Sequence, residues 1–426
     1  MRAADAAGPP VPRISARPRS ADAVLAAGTA LGFLGDLLFA DPRRGHPVAA
    51  FGRAATAAEQ LLWRDHRGAG ALYTALCAGG TVAAAAGLSR AVRRSPAASG
   101  ALTAAVTWTV LGGTSLGREA RAIGAALEAG DLARARERLP GLCGRDPQSL
   151  DAQQIARAVV ESVAENTSDA VVGALVWGAV AGVPGLAGFR AVNTLDAMAG
   201  HKSPRLRRFG WAPARLDDVA GFPGSRLTAA LAVLAGPDPR GALRVLRSDA
   251  RSHPSPNAGP VEAAFAGALG VRLGGTLAYG GRVEHRPVLG AGNRPVEPRD
   301  IERAVRLSRR VNALALVVCA GGRLLSGALR GGRRSAGTAG ALGAAGVVGT
   351  AGVVGAAAGS AHSARNAAPP TGGPPAPHGT RAPVTPRPPR SGRARRTATA
   401  VSRRSVAPRG AGPASGRPGA AGEERG

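Results

Sequence analysis

The sequence predicts an all-α fold, a multi-pass helical integral membrane protein with amphipathic loop helices and disordered termini. Several windows of about 20 residues carry no charged side chain, which is the length that an α-helix needs to cross the hydrocarbon core of a bilayer. Aromatic residues make up only 3% of the 426 residues, so Ala, Val, Leu and Gly supply the apolar mass. Long apolar windows of this composition favour a membrane protein over a soluble domain.

The charge balance and the missing motifs exclude several classes of function. The formal net charge is +28, but Lys202 is the only lysine, which indicates GC-rich coding bias rather than a basic patch. Few aromatic residues are present to stack on bases, so no nucleic-acid partner is expected. The sequence contains no Gly-Lys dipeptide, which excludes a Walker A loop. The three cysteines are scattered singly and form no metal or disulfide motif.

The N-terminal half predicts a leader followed by three spans. Residues 1–20 are rich in Pro, Arg and Ala and predict a disordered leader, after which a membrane domain covers 21–330. Ala23–Ala40 is expected to be a retained first span, because Asp36 interrupts the run and no signal-peptide cleavage site follows. The uncharged windows Gly68–Ser89 and Ser95–Gly117 predict the second and third spans.

Arg118–Leu139 carries apolar residues at helical spacing with arginines between them. This pattern predicts an amphipathic helix on the surface of the protein or on lipid headgroups. Gly130 and Asp131 break the pattern, and Asp131 is expected to cap a second helical piece.

Ala170–Phe189 is the next uncharged window, but Pro184 and several glycines interrupt it. A full crossing here would place Arg205, Arg207 and Arg208 outside, against the positive-inside rule. Irregular backbone at membrane depth is tolerated where protein surrounds it. The sequence therefore favours a re-entrant or tilted segment.

The C-terminal third carries weaker signals. Leu227–Pro237 and Val311–Gly322 are apolar but short for spans. Residues 331–368 form a Gly/Ala-rich segment that is a candidate for an extra span. Residues 369–426 form a basic tail rich in Pro and Arg, which predicts disorder.

The first polar cluster is GDLLFADPRRGHPV, which contains Asp36, Asp41, Arg43, Arg44 and His46. A helix that leaves the membrane explains the arginines, which would meet headgroups. It does not explain Asp36, because a carboxylate inside an apolar run costs a few kcal/mol. Asp41 and His46 are candidate functional residues.

The second cluster, ESVAENTSD, contains Glu161, Glu165, Asn166 and Asp169. Helical spacing would stack the three acids on one face, where like charges four residues apart repel each other. That repulsion indicates a cationic partner, either Arg157 or Mg²⁺, and carboxylate and amide oxygens suit Mg²⁺. A capping box that starts at Ser162 would explain only part of the cluster.

Two further clusters follow. AVNTLDAMAGHKSPRLRRFGWAPARLDD contributes Asn193, Asp196, Lys202, Asp217 and Asp218, and it is either a site or a polar connecting loop. SHPSPNAGPVEAAFAGALGVRLGGTLAYGG places Asn257 in a tight loop before a helix and a Gly-rich turn. Glycines in such a turn let the backbone approach a ligand closely.

In this order, the motifs DPRRGHPV, ESVAENTSD, AVNTLDAM, FGWAPARLDD, and PSPNAG followed by ALGVRLGG resemble the CobD/CbiB family of cobalamin biosynthesis over Val24 to Leu325. Thr276-Leu277-Ala278 departs from the pattern of that family. The resemblance implies a multi-pass enzyme of the cell membrane with a cytoplasmic active site. It implies an ATP-dependent amide ligase that joins adenosylcobyric acid to (R)-1-aminopropan-2-ol or its O-phosphate. The product is adenosylcobinamide or its phosphate, and the lipid bilayer and other corrinoid-pathway enzymes are the expected partners.

The resemblance also suggests roles for the polar residues. We expect Glu161, Glu165, Asp169 and Asp196 to hold Mg²⁺-ATP, with Glu161 and Glu165 also in the catalytic set. Asp41 or His46 would be the catalytic base. The expected substrate- and phosphate-binding residues are Arg43, Arg44, Asn166, Asn193, Lys202, Asp217, Asp218 and Asn257. The alternative is a non-catalytic corrinoid-binding or transport protein, because intramembrane acids and broken helices also suit transport.

Overall fold

Helices make up almost all of the computed structural model of this protein, which describes residues 18–42, 45–143, 147–148, 150–200, 203–279 and 282–348. The predicted helical membrane fold is confirmed. Four helical segments are long and apolar enough to cross a membrane, namely Ala21–Phe39, Arg67–Val92, Ala152–Ala199 and Arg299–Leu329. Residues 1–17 of the predicted disordered leader and the whole predicted disordered tail, 369–426, lie outside the described residues, as do residues 349–368 of the candidate extra span. Residues 18–20 of the predicted leader are helical.

The helices follow one another with short connections. They are α1 (Pro18–Phe39), α2 (Pro47–Leu62), α3 (Arg67–Thr74), α4 (Gly80–Val92), α5 (Pro96–Val110), α6 (Gly113–Glu128), α7 (Leu132–Arg138), α8 (Ala152–Thr167), α9 (Gly173–Ala199), α10 (Trp211–Ala235), α11 (Pro239–Asp249), α12 (Ala258–Leu269) and α13 (Arg299–Val348). π-helical turns at 75–79 and 168–172 join α3 to α4 and α8 to α9 without ending the helical path.

The structure confirms two predicted spans and corrects the third. The first two windows lie in α1 and in the α3–α4 segment. The window Ser95–Gly117 is not one helix, because Leu111 adopts an extended conformation and ends α5. The fifteen residues of α5 are about 22 Å long, short of the roughly 30 Å of hydrocarbon. The short window Val311–Gly322 lies in α13, whose apolar part is long enough to cross.

α1 and α5 pack side by side through small residues. A β-carbon built on Gly28 would lie 2.7 Å from Cβ of Thr103, and one on Gly35 would lie 3.2 Å from the Trp108 ring. From Gly28 to Gly35 in α1, the contact in α5 moves from Thr103 to Trp108. Residue numbers rise together along both helices, so the two helices run in the same direction. Small residues let backbones approach closely, which is how helices associate in membranes.

α6 and α7 form the predicted amphipathic surface segment. The break falls at Gly130, and Asp131 Oδ1 accepts a hydrogen bond of 2.9 Å from the backbone N–H of Arg134. This is the N-cap that the sequence predicted for the second piece.

The segment from α8 to α9 turns back on itself. A straight helix over these 48 residues would be about 72 Å long, more than twice the bilayer core. Gly182 instead has φ 66° and ψ −145°, a conformation open essentially to glycine alone. A β-carbon on Gly173 would meet the Phe189 ring, and one on Gly178 would lie 2.9 Å from the Leu186 side chain. The chain therefore forms a helical hairpin, as the re-entrant interpretation requires.

The tip of this helical hairpin is held by an arginine from α13. Arg323 Nη1 donates to the carbonyl oxygens of Ala179 and Val180, at 2.8 and 3.3 Å. Arg323 Nε also donates to Asp22 Oδ1 of α1 at 2.6 Å, and Asp22 is buried. An unsatisfied carbonyl away from water costs several kcal/mol. By donating to these two carbonyls, Arg323 offsets the cost of the break in the helix.

A two-stranded antiparallel sheet was not predicted. β1 (Leu273–Tyr279) pairs with β2 (Arg282–Leu289) where the sequence suggested only a Gly-rich turn. Gly274 and Gly275 have φ values of 80° and 86°, and a bulge between Leu273 and Gly275 shifts the register. These glycines bend β1 where it passes α8.

Replacement of Arg323 by Met should destabilise the protein. The change removes the arginine that donates to buried Asp22 and to two carbonyls, at a cost of about 3 kcal/mol or more. The melting temperature in detergent should therefore fall well below that of Arg306→Gln, a matched change at an exposed arginine of the same helix. Equal melting temperatures for the two variants would show that the tip does not depend on Arg323.

Candidate active site

The helical hairpin brings two sequence clusters to one place. Glu165 and Asp169 lie on its first arm, and Asn193 and Asp196 lie on its second arm. The carboxylates of Glu165, Asp196 and Asp217 all act electrostatically on Asp169. We call Glu165, Asp169, Asn193, Asp196 and Asp217 the acid cleft.

Asp217 enters the acid cleft from α10. Asn193 Nδ2 donates to Asp217 Oδ1 at 3.4 Å. Burial, followed by the charges of Asp196, Asp218 and Glu165, raises the pKa of Asp217 to about 7. Its neighbour Asp218 faces Arg215 at 3.4 Å instead. Burial, reinforced by the neighbouring carboxylates, therefore brings the pKa of one carboxyl group of the cleft close to neutral pH.

Arg190 is the functional candidate that sequence reasoning missed. Its side chain lies among the charges of Asp41, Asp169 and Asp36, and its Nη1 is 3.5 Å from Asn193 Oδ1. Its Nε is buried and has no hydrogen-bond partner within the described part of the chain. A signal was present, because an arginine directly after an uncharged apolar window is costly unless it has a role.

Asp41 and His46 form a pair beside Arg190. Ala40 ends α1 with φ 56°, a rare conformation for a residue other than glycine, and its carbonyl accepts from Trp108 Nε1 at 2.9 Å. His46 is the N-cap of α2, and its Nδ1 accepts from the backbone N–H of Val48 at 3.1 Å. The proton of the neutral ring is therefore on Nε2, which lies 3.5 Å from Asp41 Oδ1.

Glu161 does not lie in the acid cleft. Its Oε1 accepts a 2.7 Å hydrogen bond from the backbone N–H of Gly274 in β1, and Arg157 Nε is 3.9 Å away. Arg157, one of the two partners that the sequence left open, lies beside Glu161. The sequence predicted that Glu161, Glu165 and Asp169 share one face of a helix. In the structure, Glu161 faces the β-sheet instead.

Two predicted binding residues, Asn257 and Asn166, form hydrogen bonds to other groups of the protein. Asn257 Nδ2 donates to the carbonyl of Asp218 at 2.9 Å, and its Oδ1 accepts from Ser225 at 3.2 Å, so it ties the loop before α12 to α10. Asn166 Nδ2 donates to the Ser162 carbonyl at 2.9 Å. Ser162 lies inside α8 and caps nothing, and the capping box is formed by Asp151 and Gln154.

Arg43, Arg44 and Lys202 lie outside the described residues, so their predicted phosphate contacts stay predictions. In the described ranges, no three His, Cys, Asp or Glu side chains converge closely enough to hold a metal ion. Mg²⁺ usually takes one or two carboxylates together with substrate phosphates, so the donor set of the acid cleft fits that ion when shared with a nucleotide.

Comparisons with known proteins bear on the whole of this region. The family model described as CobD/Cbib protein matches residues 29–308, which include the acid cleft, Arg190, Asp41 and His46. The chain belongs to the CobD/Cbib protein family. No solved structure matches it.

Curated members of the CobD/Cbib family align over most of their length. The cobalamin biosynthesis protein CobD of Mycobacterium tuberculosis strain H37Rv is 53% identical over 298 residues, which cover 69% of this chain and 94% of that protein. The CobD protein of Geobacter metallireducens is 41% identical over 294 residues, with 67% and 92% covered. The CobD protein of Chromobacterium violaceum is 42% identical over 285 residues, with 65% and 89% covered.

Replacement of Asp217 by Asn should change how stability depends on pH. The pKa of Asp217 is raised from 3.8 to about 7, so the folded protein binds a proton that the unfolded chain releases. Asp217 thus destabilises the fold progressively as pH rises from about 4 to about 7, and the penalty is constant above that range. Asn carries no charge and escapes this penalty.

The measurement is the melting temperature of both proteins between pH 5 and 8 in detergent with a chelator. The variant should gain on the unaltered protein as pH rises and keep that gain above neutrality. A difference that is independent of pH would contradict the raised pKa.

Proposed function

We propose that this protein acts in cobalamin biosynthesis as an ATP-dependent amide ligase. It would join adenosylcobyric acid to (R)-1-aminopropan-2-ol or its O-phosphate and release adenosylcobinamide or its phosphate. Membership of the CobD/Cbib family supports the pathway. The observation that supports the reaction is the meeting of the acid cleft, Arg190 and the Asp41–His46 pair at the open end of the helical hairpin.

The proposed reaction depends more on electrostatic stabilisation of the phosphoryl groups than on covalent catalysis by the protein. A carboxylate becomes an electrophile when the terminal phosphoryl group of ATP is transferred to its oxygen, which gives an acyl phosphate and ADP. The amine then attacks the carbonyl carbon, inorganic phosphate leaves with the bonding electron pair, and the nitrogen loses a proton. One or two of the carboxylates of Glu165, Asp169 and Asp196 would hold Mg²⁺ together with phosphate oxygens, and the ion would neutralise charge in this step. Arg190 can stabilise charge on a phosphoryl or carboxyl oxygen from the opposite side.

Asp41 is the better candidate for the base. A base must have a free lone pair within reach of the proton that it removes. His46 Nδ1 already accepts from Val48, and its Nε2 carries the remaining proton toward Asp41. Asp41 Oδ1 is buried and accepts no hydrogen bond from the described residues, with His46 Nε2 3.5 Å away, so it would have a lone pair for the proton of the amine. His46 would orient Asp41, and this arrangement supports Asp41 rather than His46 as the base.

The site is proposed to face the cytoplasm, in the cell membrane. Arg53, Arg64 and Arg67 lie at the same end of the spans as the acid cleft, since Trp211 near the start of α10 donates to the Arg67 carbonyl at 2.9 Å. Excess arginine marks cytoplasmic loops. ATP is available there, which agrees with the proposed co-substrate.

A non-catalytic corrinoid-binding or transport protein is the competing function. The helical hairpin that breaks at Gly182 supports it, because discontinuous helices often line transport sites. Against transport, the acid cleft lies at the end of the hairpin rather than at its middle. ATP-dependent turnover of adenosylcobyric acid supports the ligase, and binding without turnover supports the competitor. In cells, a deletion strain that is rescued by cobinamide but not by cobyric acid would place the block at this step.

Replacement of Glu165 by Gln should abolish ligation. The variant keeps the size of the side chain and loses one negative charge of the proposed nucleotide site, so the rate should fall on the order of 100-fold or more. Purified protein in detergent is assayed for adenosylcobinamide formation with ATP and Mg²⁺. Glu128→Gln, at an exposed glutamate of α6, is the matched control and should keep its activity. Full activity in Glu165→Gln would remove Glu165 from the site.

A further inference from the structure

A groove of 760 Å³ lies on the surface of the protein between α10 and α11. None of the residues of the acid cleft lines it. The groove combines an apolar wall with cationic side chains, since its lining includes Val233, Leu234, Leu243, Leu246, Arg247 and Arg251. This combination suits a molecule that has both an apolar part and an anionic group.

The outer face of α11 carries arginines that no acid offsets. Arg240, Arg244 and Arg247 are exposed and follow the spacing i, i+4, i+7. Arg251 continues the series in the short helical turn that follows α11. Among the described residues, the four side chains have no hydrogen bond or ion pair. Like charges at this spacing repel each other, so the face favours a bound anion.

The wall from α10 exposes apolar side chains. Leu234 is 74% exposed, and Val219 and Phe222 of the same helix are 70% and 52% exposed. Within the part of the chain that the structure describes, α10 is not one of the four segments that are long and apolar enough to cross a membrane. Exposed apolar surface outside a span indicates a contact with lipid or with an apolar partner.

The groove lies beside the polar end of a membrane span. Arg310 Nη1 of α13 donates to the carbonyl of Ala235, the last residue of α10, at 3.4 Å. Arg310 belongs to the candidate span Arg299–Leu329, in which Leu314 is the first large apolar side chain that is exposed. The end of α10 is therefore at the level where headgroups meet the hydrocarbon core, with cationic residues at the polar border.

We propose that the groove between α10 and α11 binds one anionic phospholipid of the surrounding leaflet. An acyl chain would lie along Leu234, Leu243 and Leu246, and Arg247 and Arg251 would hold the headgroup phosphate. Guanidinium groups match the geometry of phosphate oxygens. A zwitterionic lipid presents the same phosphate beside a choline cation, which the arginines repel. The proposal does not depend on the ligase function.

The charge of the chain argues against two other occupants. Residues 331–422 contain no Asp or Glu, so the arginines of α11 would repel the basic tail. A second copy of the chain carries the same net charge of +28. An acidic protein would match the arginines, but the position beside a span favours a lipid, which surrounds the protein there. Basic residues next to a membrane bind anionic lipids in this way.

Native mass spectrometry of the full chain, delipidated in detergent, measures the binding. The probes are phosphatidylglycerol, phosphatidylcholine with the same acyl chains, and glycerol 3-phosphate. The first phosphatidylglycerol should bind at least about tenfold more tightly than either of the other two. Phosphatidylcholine brings a cation to the arginines, and glycerol 3-phosphate lacks an acyl chain.

Arginine variants locate the headgroup. The double variant Arg247→Gln and Arg251→Gln should bind the first phosphatidylglycerol about tenfold or more weakly. The matched control is Arg90→Gln with Arg93→Gln, which removes the same charge from two exposed arginines at the end of α4. The control should bind this lipid as tightly as the unaltered protein.

Leucine variants locate the acyl chain. Leu234→Ser should weaken binding of phosphatidylglycerol and change the melting temperature of the lipid-free protein little, because this side chain is mostly exposed. Leu61→Ser, at a leucine of α2 that is 76% exposed and outside the groove, should leave binding unchanged.

Three results would overturn the proposal. The first is equal affinity for phosphatidylglycerol and phosphatidylcholine, and the second is unchanged binding in the Arg247 and Arg251 double variant. The third is glycerol 3-phosphate that binds as tightly as the lipid, which would leave a simple anion site. Binding of polyglutamate that the double variant abolishes, without any preference for phosphatidylglycerol, would assign the arginine face to an acidic protein instead.

Discussion

The reversal of the chain at Gly182 is the constraint on which the rest of the site depends. Glu165 and Asp169 are encoded about 30 residues before Asn193 and Asp196, and a continuous helix would hold them far apart. The turn requires a backbone conformation that glycine alone adopts readily, and the close approach of the arms requires Gly173 and Gly178. The break exposes carbonyls, and Arg323 with Asp22 satisfies them from two other helices. The reversal at Gly182 thus determines both the position of the tip, which Arg323 contacts, and the position of the open end, which carries the acid cleft.

The open end of the hairpin holds charge that the fold alone does not need. Several carboxylates lie near one another in the acid cleft, and burial together with their charges raises the pKa of Asp217. Such repulsion destabilises the protein unless a cation or a bound nucleotide complex relieves it. Arg190 supplies part of that relief, and its position between Asp41 and Asp169 joins the cleft to the proposed base. The arrangement is easier to explain by catalysis or binding than by stability.

The sequence predicted the parts of the fold that hydrophobic length controls. Uncharged windows located α1 and the α3–α4 span, and the balance of arginines favoured a segment that turns back after Ala170. The prediction from sequence failed for features that hydrophobic length and charge do not determine. The third window looked continuous because Leu111 is as apolar as its neighbours, although Gly112–Gly113 marked a possible break. The β-sheet was missed because the paired glycines in β1 indicated a turn. Helical spacing grouped Glu161 with Glu165 and Asp169, but only tertiary structure shows that Glu161 faces β1. Arg190 was missed because it is a single residue outside the quoted polar runs.

The distance between the outer ends of the hairpin arms tests its geometry most directly. Spin labels are placed at the exposed positions Gln153 and Ala197, in a chain whose three cysteines are replaced, and the distance is measured by pulsed electron resonance in nanodiscs. With the reversal at Gly182, the first arm rises about 44 Å and the second returns about 22 Å, so the labels should be roughly 20–30 Å apart. A single distribution near 66 Å, the length of an unbroken helix between these residues, would contradict the hairpin and with it the acid cleft.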